Sequence, residues 1–263
     1  MTKNLTSLFT AIAVIQTGFA GEPDAFQEPL APVQETDSGW NYKVSLYAPI
    51  LGLDGTSRIG PTTVPIDLGF SDIAENLEAG FIIAGEAQKG KFSVIGDLIW
   101  LKLAGSTYPT ANTYAGLKVE QTVANLAFGY QLFESDCWTL DALAGAAYTG
   151  MKIDQDITVF PPGPVPPTSN VFGADESWVD PFVGFRFRYR PSDNWRIFGR
   201  VDYGGWGIAS DLYLQAILGG GYKVNDSFGI YAAYRFISVD YSKTAFAYDV
   251  ETSGPQIGLV FTF

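Results

Sequence analysis

The fold is decided by the stretch Trp138-Thr-Leu-Asp-Ala-Leu-Ala-Gly-Ala-Ala-Tyr148, in which every second residue is apolar or aromatic. A period of two indicates a β-strand with one apolar face. The rings of Trp138 and Tyr148 enclose a row of Leu and Ala, and Trp195 and Tyr203 enclose a second such row. Rings at two headgroup levels around an apolar band about 25 Å tall are typical of outer-membrane barrels, whereas soluble β-sandwiches, the alternative, usually lack them.

The same period of two recurs in ten segments, at 40–50, 77–88, 91–103, 117–133, 138–152, 178–190, 194–205, 211–224, 228–241 and 250–263. Short polar turns at 88–91, 134–136, 191–193 and 225–227 alternate with mostly longer connections at 51–76, 104–116, 153–177, 205–211 and 241–249. Transmembrane barrels have an even strand number, with short turns at one end and longer loops at the other. We therefore predict an all-β, up-and-down antiparallel barrel of ten strands. Eight and twelve remain alternatives, because 62–70 has the pattern of a further strand before a capped helical turn at 71–77.

Composition supports a membrane barrel over a helical bundle. Hydrophobic residues make up 47% of the 263 residues, yet mean hydropathy is only +0.10 and charged residues are 17%. After the N-terminus no run approaches the roughly 20 apolar residues that a spanning helix needs. The net charge of −12 argues against nucleic acid and anionic headgroups as partners.

The N-terminal residues have the pattern of a targeting segment. Lys3 precedes an apolar run over 5–19, and Gly18 and Ala20 fit small-residue cleavage, so we predict a signal peptide over 1–20. A short N-terminal helix is the alternative. Residues 21–38 are rich in acid and proline and predict a flexible periplasmic leader before a barrel domain at 39–263. The single Cys137 allows no internal disulfide.

The C-terminal stretch Gln256-Ile-Gly-Leu-Val-Phe-Thr-Phe263 is the most specific local motif. Its Gln256, Gly258, Phe261 and Phe263 have the spacing of the signal read by the outer-membrane barrel assembly machinery, which we predict as a partner. An ordinary edge strand is the alternative interpretation.

From Trp40 to Phe263 the chain also resembles a family of Gram-negative outer-membrane β-barrel proteins, which are porin-like or opacity-protein-like small barrels. The stretches that carry the resemblance are Leu53-Asp-Gly55, Ser71-Asp-Ile-Ala-Glu-Asn-Leu77, Leu140-Asp-Ala-Leu-Ala-Gly145, Trp178-Val-Asp-Pro-Phe-Val-Gly-Phe-Arg186 and Gly254-Pro-Gln-Ile-Gly258. The resemblance implies the fold and an integral outer-membrane location, in contact with lipid and lipopolysaccharide, but no activity. The family pattern leads us to expect arginine at position 147, where this chain has Ala147.

Charged side chains occur on the face that should point into the lumen. Seven are basic and seven acidic: Lys43, Arg186, Arg188, Arg196, Arg200, Lys223 and Arg235, with Glu78, Glu86, Asp97, Asp141, Asp180, Asp202 and Asp211. Buried charges must be paired or hydrated. They predict a salt-bridge network, or else a polar permeation path. Inward aromatics beside inward glycines favour a narrow or blocked pore, since a barrel this small is nearly filled by side chains.

Catalysis is disfavoured because the chain contains no histidine, the residue on which barrel enzymes of this membrane characteristically depend. We predict no enzyme, no cofactor and no metal. The predicted function is a structural or porin-like barrel with a narrow or plugged polar lumen, whose solute, if any, the sequence does not identify. The alternative is a surface adhesin or binding protein that acts through 51–76 and 153–177, which include the proline-dense stretch 159–167.

Overall fold

The computed structural model describes residues 39–60 and 62–263, so the predicted signal peptide and leader lie outside the described residues. The strands are β1 (Asn41–Pro49), β2 (Gly52–Ile59), β3 (Thr62–Leu68), β4 (Leu77–Lys89), β5 (Phe92–Thr110), β6 (Thr113–Glu134), β7 (Trp138–Val159), β8 (Thr168–Tyr189), β9 (Trp195–Gly205), β10 (Leu212–Asn225), β11 (Phe228–Ser242) and β12 (Phe246–Thr262). One helix, α1, covers Phe70–Asn76. No helix in the described ranges is long and apolar enough to cross a membrane.

Ten of these strands form a closed antiparallel barrel, which confirms the predicted count. The order runs from β1 to β4 and on in sequence to β12, and β12 pairs back with β1 from Gln256 to Thr262. The other half of β12, Phe246 to Ser253, pairs with β2. The strands β1 and β2 therefore lie end to end along the same side of β12, and together they count as one strand of the wall. Strand β3 pairs with β2 as a hairpin at the edge of the sheet, outside the closed ring, so the extra strand at 62–70 does not add to the ten.

The barrel has two different ends. One end, which we call the turn end, contains the first residue of β1 and the last residue of β12. It also contains the short turns at 90–91, 135–137, 190–194 and 226–227. At the opposite loop end, the connections are shorter than predicted. The predicted loops 104–116 and 153–177 are wrong in large part, because β5, β6, β7 and β8 continue through them and leave only residues 111–112 and 160–167 outside strands.

Strand β6 shows why these extensions lack the expected pattern. Near the middle of the strand Leu126 faces outward and Asn125 faces the lumen. Toward the loop end the order reverses, so that Glu120 is exposed while Val119 and Leu117 are buried. The backbone phase is unchanged. Only the surroundings of the outer face change from apolar to aqueous.

Outward charges mark the level of this reversal. Glu78 pairs with Lys102 at 3.2 Å, and the indole Nε1 of Trp100 donates to Glu120 Oε1 at 2.8 Å. Glu120 lies opposite both Lys102 and Lys152 in the strand register. We call Glu78, Lys102, Glu120 and Lys152 the polar belt. It forms the loop-end boundary of the apolar outer band.

Aromatic pairs mark the other boundary, at the turn end. Trp138 stacks on Tyr189 with ring centroids 4.3 Å apart. Further outward pairs at this level are Phe92 with Tyr130, Trp195 with Tyr222 and Phe228 with Phe261. The polar belt and this aromatic girdle enclose the apolar band that a membrane barrel presents to lipid.

Candidate functional site: the lumen

Near the turn end the lumen is crossed by an ion-pair network centred on Arg186. Its Nε donates to Asp141 Oδ2 at 2.8 Å, and its Nη2 donates to Glu86 Oε1 at 3.1 Å. Lys43 reaches the other oxygen of Glu86 at 3.3 Å, and Arg188 donates to both oxygens of Asp141. These five residues come from β1, β4, β7 and β8, so the network connects walls that are not adjacent in the sheet.

A second group of charges lies beside the first. Arg200 Nε donates to both oxygens of Asp202, at 3.1 and 2.8 Å, and Gln215 Nε2 donates to Asp202 Oδ2 at 2.8 Å. Arg235 donates to Gln215 Oε1. Arg200 is the cross-strand partner of Arg186, so two guanidiniums lie side by side and each has its own carboxylates. We call the nine residues of the two groups the charged layer: Lys43, Glu86, Asp141, Arg186, Arg188, Arg200, Asp202, Gln215 and Arg235.

Asp97 is a further buried acid of the lumen, close to the second group. It is buried on β5 opposite Asn125 of β6, beside Tyr47. Arg235 and Arg200 interact with it electrostatically. Asp97 thus lies on the side of the lumen where Arg235 has a neutral Gln215 as its hydrogen-bond partner.

Toward the loop end the lumen contains apolar side chains. The sequence placed the rings of Trp178 and Tyr241 inward but missed the aliphatic residues around them. Trp178 of β8 stacks on Tyr241 of β11 with ring centroids 4.0 Å apart, and Tyr248 of β12 lies against the same indole. The two strands between them, β9 and β10, stop short of this level. Beyond the connection from β9 to β10, therefore, β8 and β11 approach each other directly. The apolar layer consists of buried Leu101, Leu117, Val119, Ile153, Trp178, Tyr241 and Tyr248.

Inward glycines make space for lumen rings, as the sequence suggested. A Cβ at Gly219 would meet the ring of Phe198 at 2.7 Å, and one at Gly145 would meet Phe182 at 2.6 Å. Gly258 faces the ring of Tyr231 in the same way. The seven aromatics assigned to the inner face, Tyr47, Trp178, Phe182, Phe198, Tyr213, Tyr231 and Tyr241, are all buried.

Comparison with solved structures identifies the architecture. The outer membrane protease OmpT of Escherichia coli superposes with a TM-score of 0.52 at 14% identity, over 85% of this chain and 96% of that one. The chain has the fold of an outer-membrane β-barrel protein. Other outer-membrane barrels that match are Ail of Yersinia pestis, at 14% identity over 85% and 98% of the chains with a TM-score of 0.29, and the toluene transporter TodX of Pseudomonas putida, at 10% over 92% and 93% with 0.33. No protein-family model and no curated protein matches.

Two predicted network residues of this outer-membrane barrel are buried but serve other contacts. Asp180 accepts from the backbone N–H of Ser210 at 2.8 Å, from its hydroxyl at 2.7 Å and from the Trp178 indole at 3.1 Å. It therefore anchors the β9–β10 connection. Its cross-strand neighbour is Ala147, the position at which the resemblance led us to expect arginine. Arg196 donates to the backbone carbonyls of Ser192 and Trp195 at the turn end.

The predictions for Glu78 and Asp211 are corrected by the barrel geometry. A register shift between Leu77 and Ala79 turns Glu78 to the outer surface, where it pairs with Lys102. Asp211 is exposed because the chain has already left β9 and has not yet entered β10. Lys223 has the predicted inward phase on β10, and it pairs at the turn end with exposed Asp226, at 2.6 Å. Strict alternation through the bulge at Glu78, or past the strand end at Asp211, assigns a residue to the wrong face.

The C-terminal motif lies on the strand that closes the barrel. Gln256 and Gly258 face the lumen, whereas Phe263 is exposed and Phe261 packs on Phe228. Phe263 also donates its backbone N–H to Tyr42 at 2.9 Å, so the last residue is part of the β1–β12 seam. Among the described residues no group of three or more His, Cys, Asp or Glu side chains is arranged to hold a metal.

Proposed function

We propose that this protein is a structural, non-catalytic outer-membrane barrel whose lumen is closed by the charged layer and the apolar layer in series. One observation carries the proposal. The guanidinium groups of Arg186, Arg200 and Arg235 are on residues at most 2% exposed, and they lie across what would be the permeation path.

An open pore needs its charges in a different state. Charges that select permeating ions line water and exchange partners with the ion. Here Arg186 is bound to Glu86 and Asp141, and Arg200 is bound to Asp202. An ion that entered would have to displace these pairs and then pass the Trp178–Tyr241 stack. The pairs therefore serve packing of the lumen rather than conduction.

The proposed placement puts the apolar band in the outer membrane with the turn end, the leader and the C-terminus on the periplasmic side. Short turns face the periplasm in such barrels, and longer connections face outward. The barrel assembly machinery would read Gln256, Gly258, Phe261 and Phe263 from that side. The polar belt would then lie at the headgroups of the outer leaflet, in contact with lipopolysaccharide.

The absence of catalysis is supported by the chemistry of the lumen acids. The chain has no histidine, and the carboxylates of Glu86, Asp141 and Asp202 are each bound to arginine or lysine. A carboxylate held in ion pairs is a poor general base, because its protonation would leave a buried cation unpaired. Asp180 is bound by Ser210 and Trp178.

Single-channel recording in planar bilayers tests the closed lumen. We expect no current steps from the purified, heat-modifiable folded protein, with a porin of known conductance added to the same bilayer as the positive control. Resolved, reproducible steps from the wild-type protein would contradict the proposal and support a porin.

A second candidate function, surface binding, has one observation in its favour. Beyond the polar belt the loop-end rim exposes apolar side chains, including Tyr108, Phe160, Val165 and Val171, to the aqueous phase. Exposed apolar patches often mark interaction sites. Replacing 160–167 with a Gly-Ser linker of equal length tests this function. Loss of adherence to host cells, with unchanged barrel stability, would favour an adhesin, and unchanged adherence would reject it for this loop.

A further inference from the structure

The barrel wall has a gap between β1 and β4. Their ladder runs only from Asn41–Gln88 to Ser45–Ala84. Beyond Ser45, strand β1 continues to Pro49 paired with β12 alone, and β4 continues to Leu77 paired with β5 alone. Within the described residues no ladder pair joins 46–49 to 80–83. Pro49 has no N–H to offer a neighbour, as expected of a residue on a strand edge.

A cavity of about 430 Å³ occupies this gap. Its lining combines two sides of the wall. Leu46 and Ala48 are exposed on the lipid-facing side of β1, whereas Leu101 is buried in the lumen and Ile82 is packed against the core. The cavity therefore leads from the lipid-facing surface through the wall to the apolar layer.

Helix α1 covers the loop-end side of the gap. Phe70, Ile73, Ala74 and Leu77 contribute to the lining, and Ile73 packs against the buried core. Tyr47, whose neighbour is Asp97, lines the side toward the charged layer. All the other lining residues are apolar or glycine, so the cavity is suited to a hydrocarbon ligand.

The level of the gap determines what can enter. Phe81 and its partner Trp100 lie at the loop-end boundary of the apolar band, immediately below Glu78 and Lys102 of the polar belt. Ile82 and Ile83 are thus inside the band, and Leu46 and Ala48 belong to the same lipid-facing row as Tyr42. An apolar opening at this depth meets acyl chains and not water. Volumes of about 300–1,000 Å³ are usual for ligand pockets.

We propose that the cavity between β1 and β4 holds one acyl chain of a bilayer lipid, drawn sideways from the leaflet at the loop end. The chain would pass Leu46 and Ala48 and end against Leu101 beneath α1. The site rests on the proposed placement of the barrel in a membrane, but not on a closed lumen. With the proposed orientation, the lipid belongs to the outer leaflet.

Photolabelling of the full-length protein tests this site. The protein is folded into phosphatidylcholine vesicles that contain phosphatidylcholine with a mid-chain diazirine, and labelled residues are mapped by mass spectrometry. We expect label on Leu126, which is exposed to lipid, and also on Leu101 and Ile82. Ile217, which is buried on β10 and does not line the cavity, should carry none. Label on Leu126 without label on Leu101 and Ile82 would overturn the acyl site alone. Absence of label on Leu126 would overturn the membrane placement as well.

A matched pair of variants and a second probe sharpen the result. Ala48→Trp fills the mouth of the cavity and should reduce the labelling of Leu101 to background. Ala144→Trp, which places the same ring on an exposed alanine of β7, should leave it unchanged. The wild-type map decides the question even if Ala48→Trp fails to fold. If a diazirine fatty acid labels Leu101 while the phospholipid does not, the occupant is a free apolar ligand and the proposal is wrong.

Discussion

The two halves of the lumen differ in what surrounds the barrel wall. This difference explains why one half is lined by polar side chains and the other by apolar ones. In the half that contains the charged layer, between the turn end and the polar belt, the outer face of the wall meets lipid. Leu126 therefore points out, and polar side chains such as Asn125 point in. Above the polar belt the outer face meets water, so Glu120 points out and Leu117 points in. One continuous strand therefore has the pattern of a membrane barrel at one end and of a soluble barrel at the other. The alternation of inward and outward residues is fixed along a strand. Which face is polar depends on whether lipid or water lies outside the wall.

Removing the closing strand's rings should break both regions together. With Phe261 and Phe263 both changed to Ser, we expect the protein to remain in the periplasm, degraded or aggregated, because recognition for assembly and the β1–β12 seam are lost. The measurement is the amount of heat-modifiable barrel in outer-membrane fractions, with Thr262→Ser as the control. Normal levels of the double variant would show that this motif is not the assembly signal.

Much of the fold followed from the sequence, because alternation and bracketing rings are local properties. All ten wall segments lie where the period of two placed them. The loop-end extensions were missed because their outward residues are polar, as at Lys118 and Glu120, and so lack the apolar outer row by which the membrane strands were recognised. The wall gap could not be predicted, since it depends on where the β1–β4 ladder stops.

The lumen charges were predictable as a set but not as pairs. Phase alone placed Arg186 and Asp141 inside. It could not reveal that Asp180 would bind Ser210, because this contact depends on an inward loop. That loop contains Trp206 at φ 51° between Gly205 and Gly207, both also at positive φ. The reversal of Glu78 depended on a bulge that no period shows.

Within the charged layer, Arg186→Ala should cost about 3–5 kcal/mol, because removing one member of a buried ion pair leaves Glu86 and Asp141 short of positive charge. The matched surface change is Lys102→Ala in the polar belt, for which an exposed pair predicts about 0–1 kcal/mol. Urea unfolding in liposomes measures both. Equal costs for the two variants would mean that the charged layer is hydrated.

In the apolar layer, Leu117→Ala should cost about 2–5 kcal/mol, since it leaves a cavity among buried side chains. Leu126→Ala on the same strand faces lipid, which fills the space, and should cost clearly less. The same unfolding assay compares them. A larger cost for Leu126→Ala would reverse the assignment of the two regions.

The position of the belt can be tested with a single charge. Leu126→Arg should destabilise the barrel by about 2–4 kcal/mol at mid-membrane, whereas Thr122→Arg, beside Trp100 near the belt, should cost about 0–1 kcal/mol. Similar values at both positions would show that the apolar band extends past Thr122.

The central claim is that the charged layer and the apolar layer each close the lumen. The conductance of variants that change one layer or both tests this claim most directly. We expect no channel steps from the wild type and none from Arg186→Ala with Arg200→Ala, because the apolar layer remains. Adding Trp178→Ala and Tyr241→Ala to those two changes should produce steps. Resolved steps with a steady ion preference from the wild-type protein in the same bilayers would contradict the account.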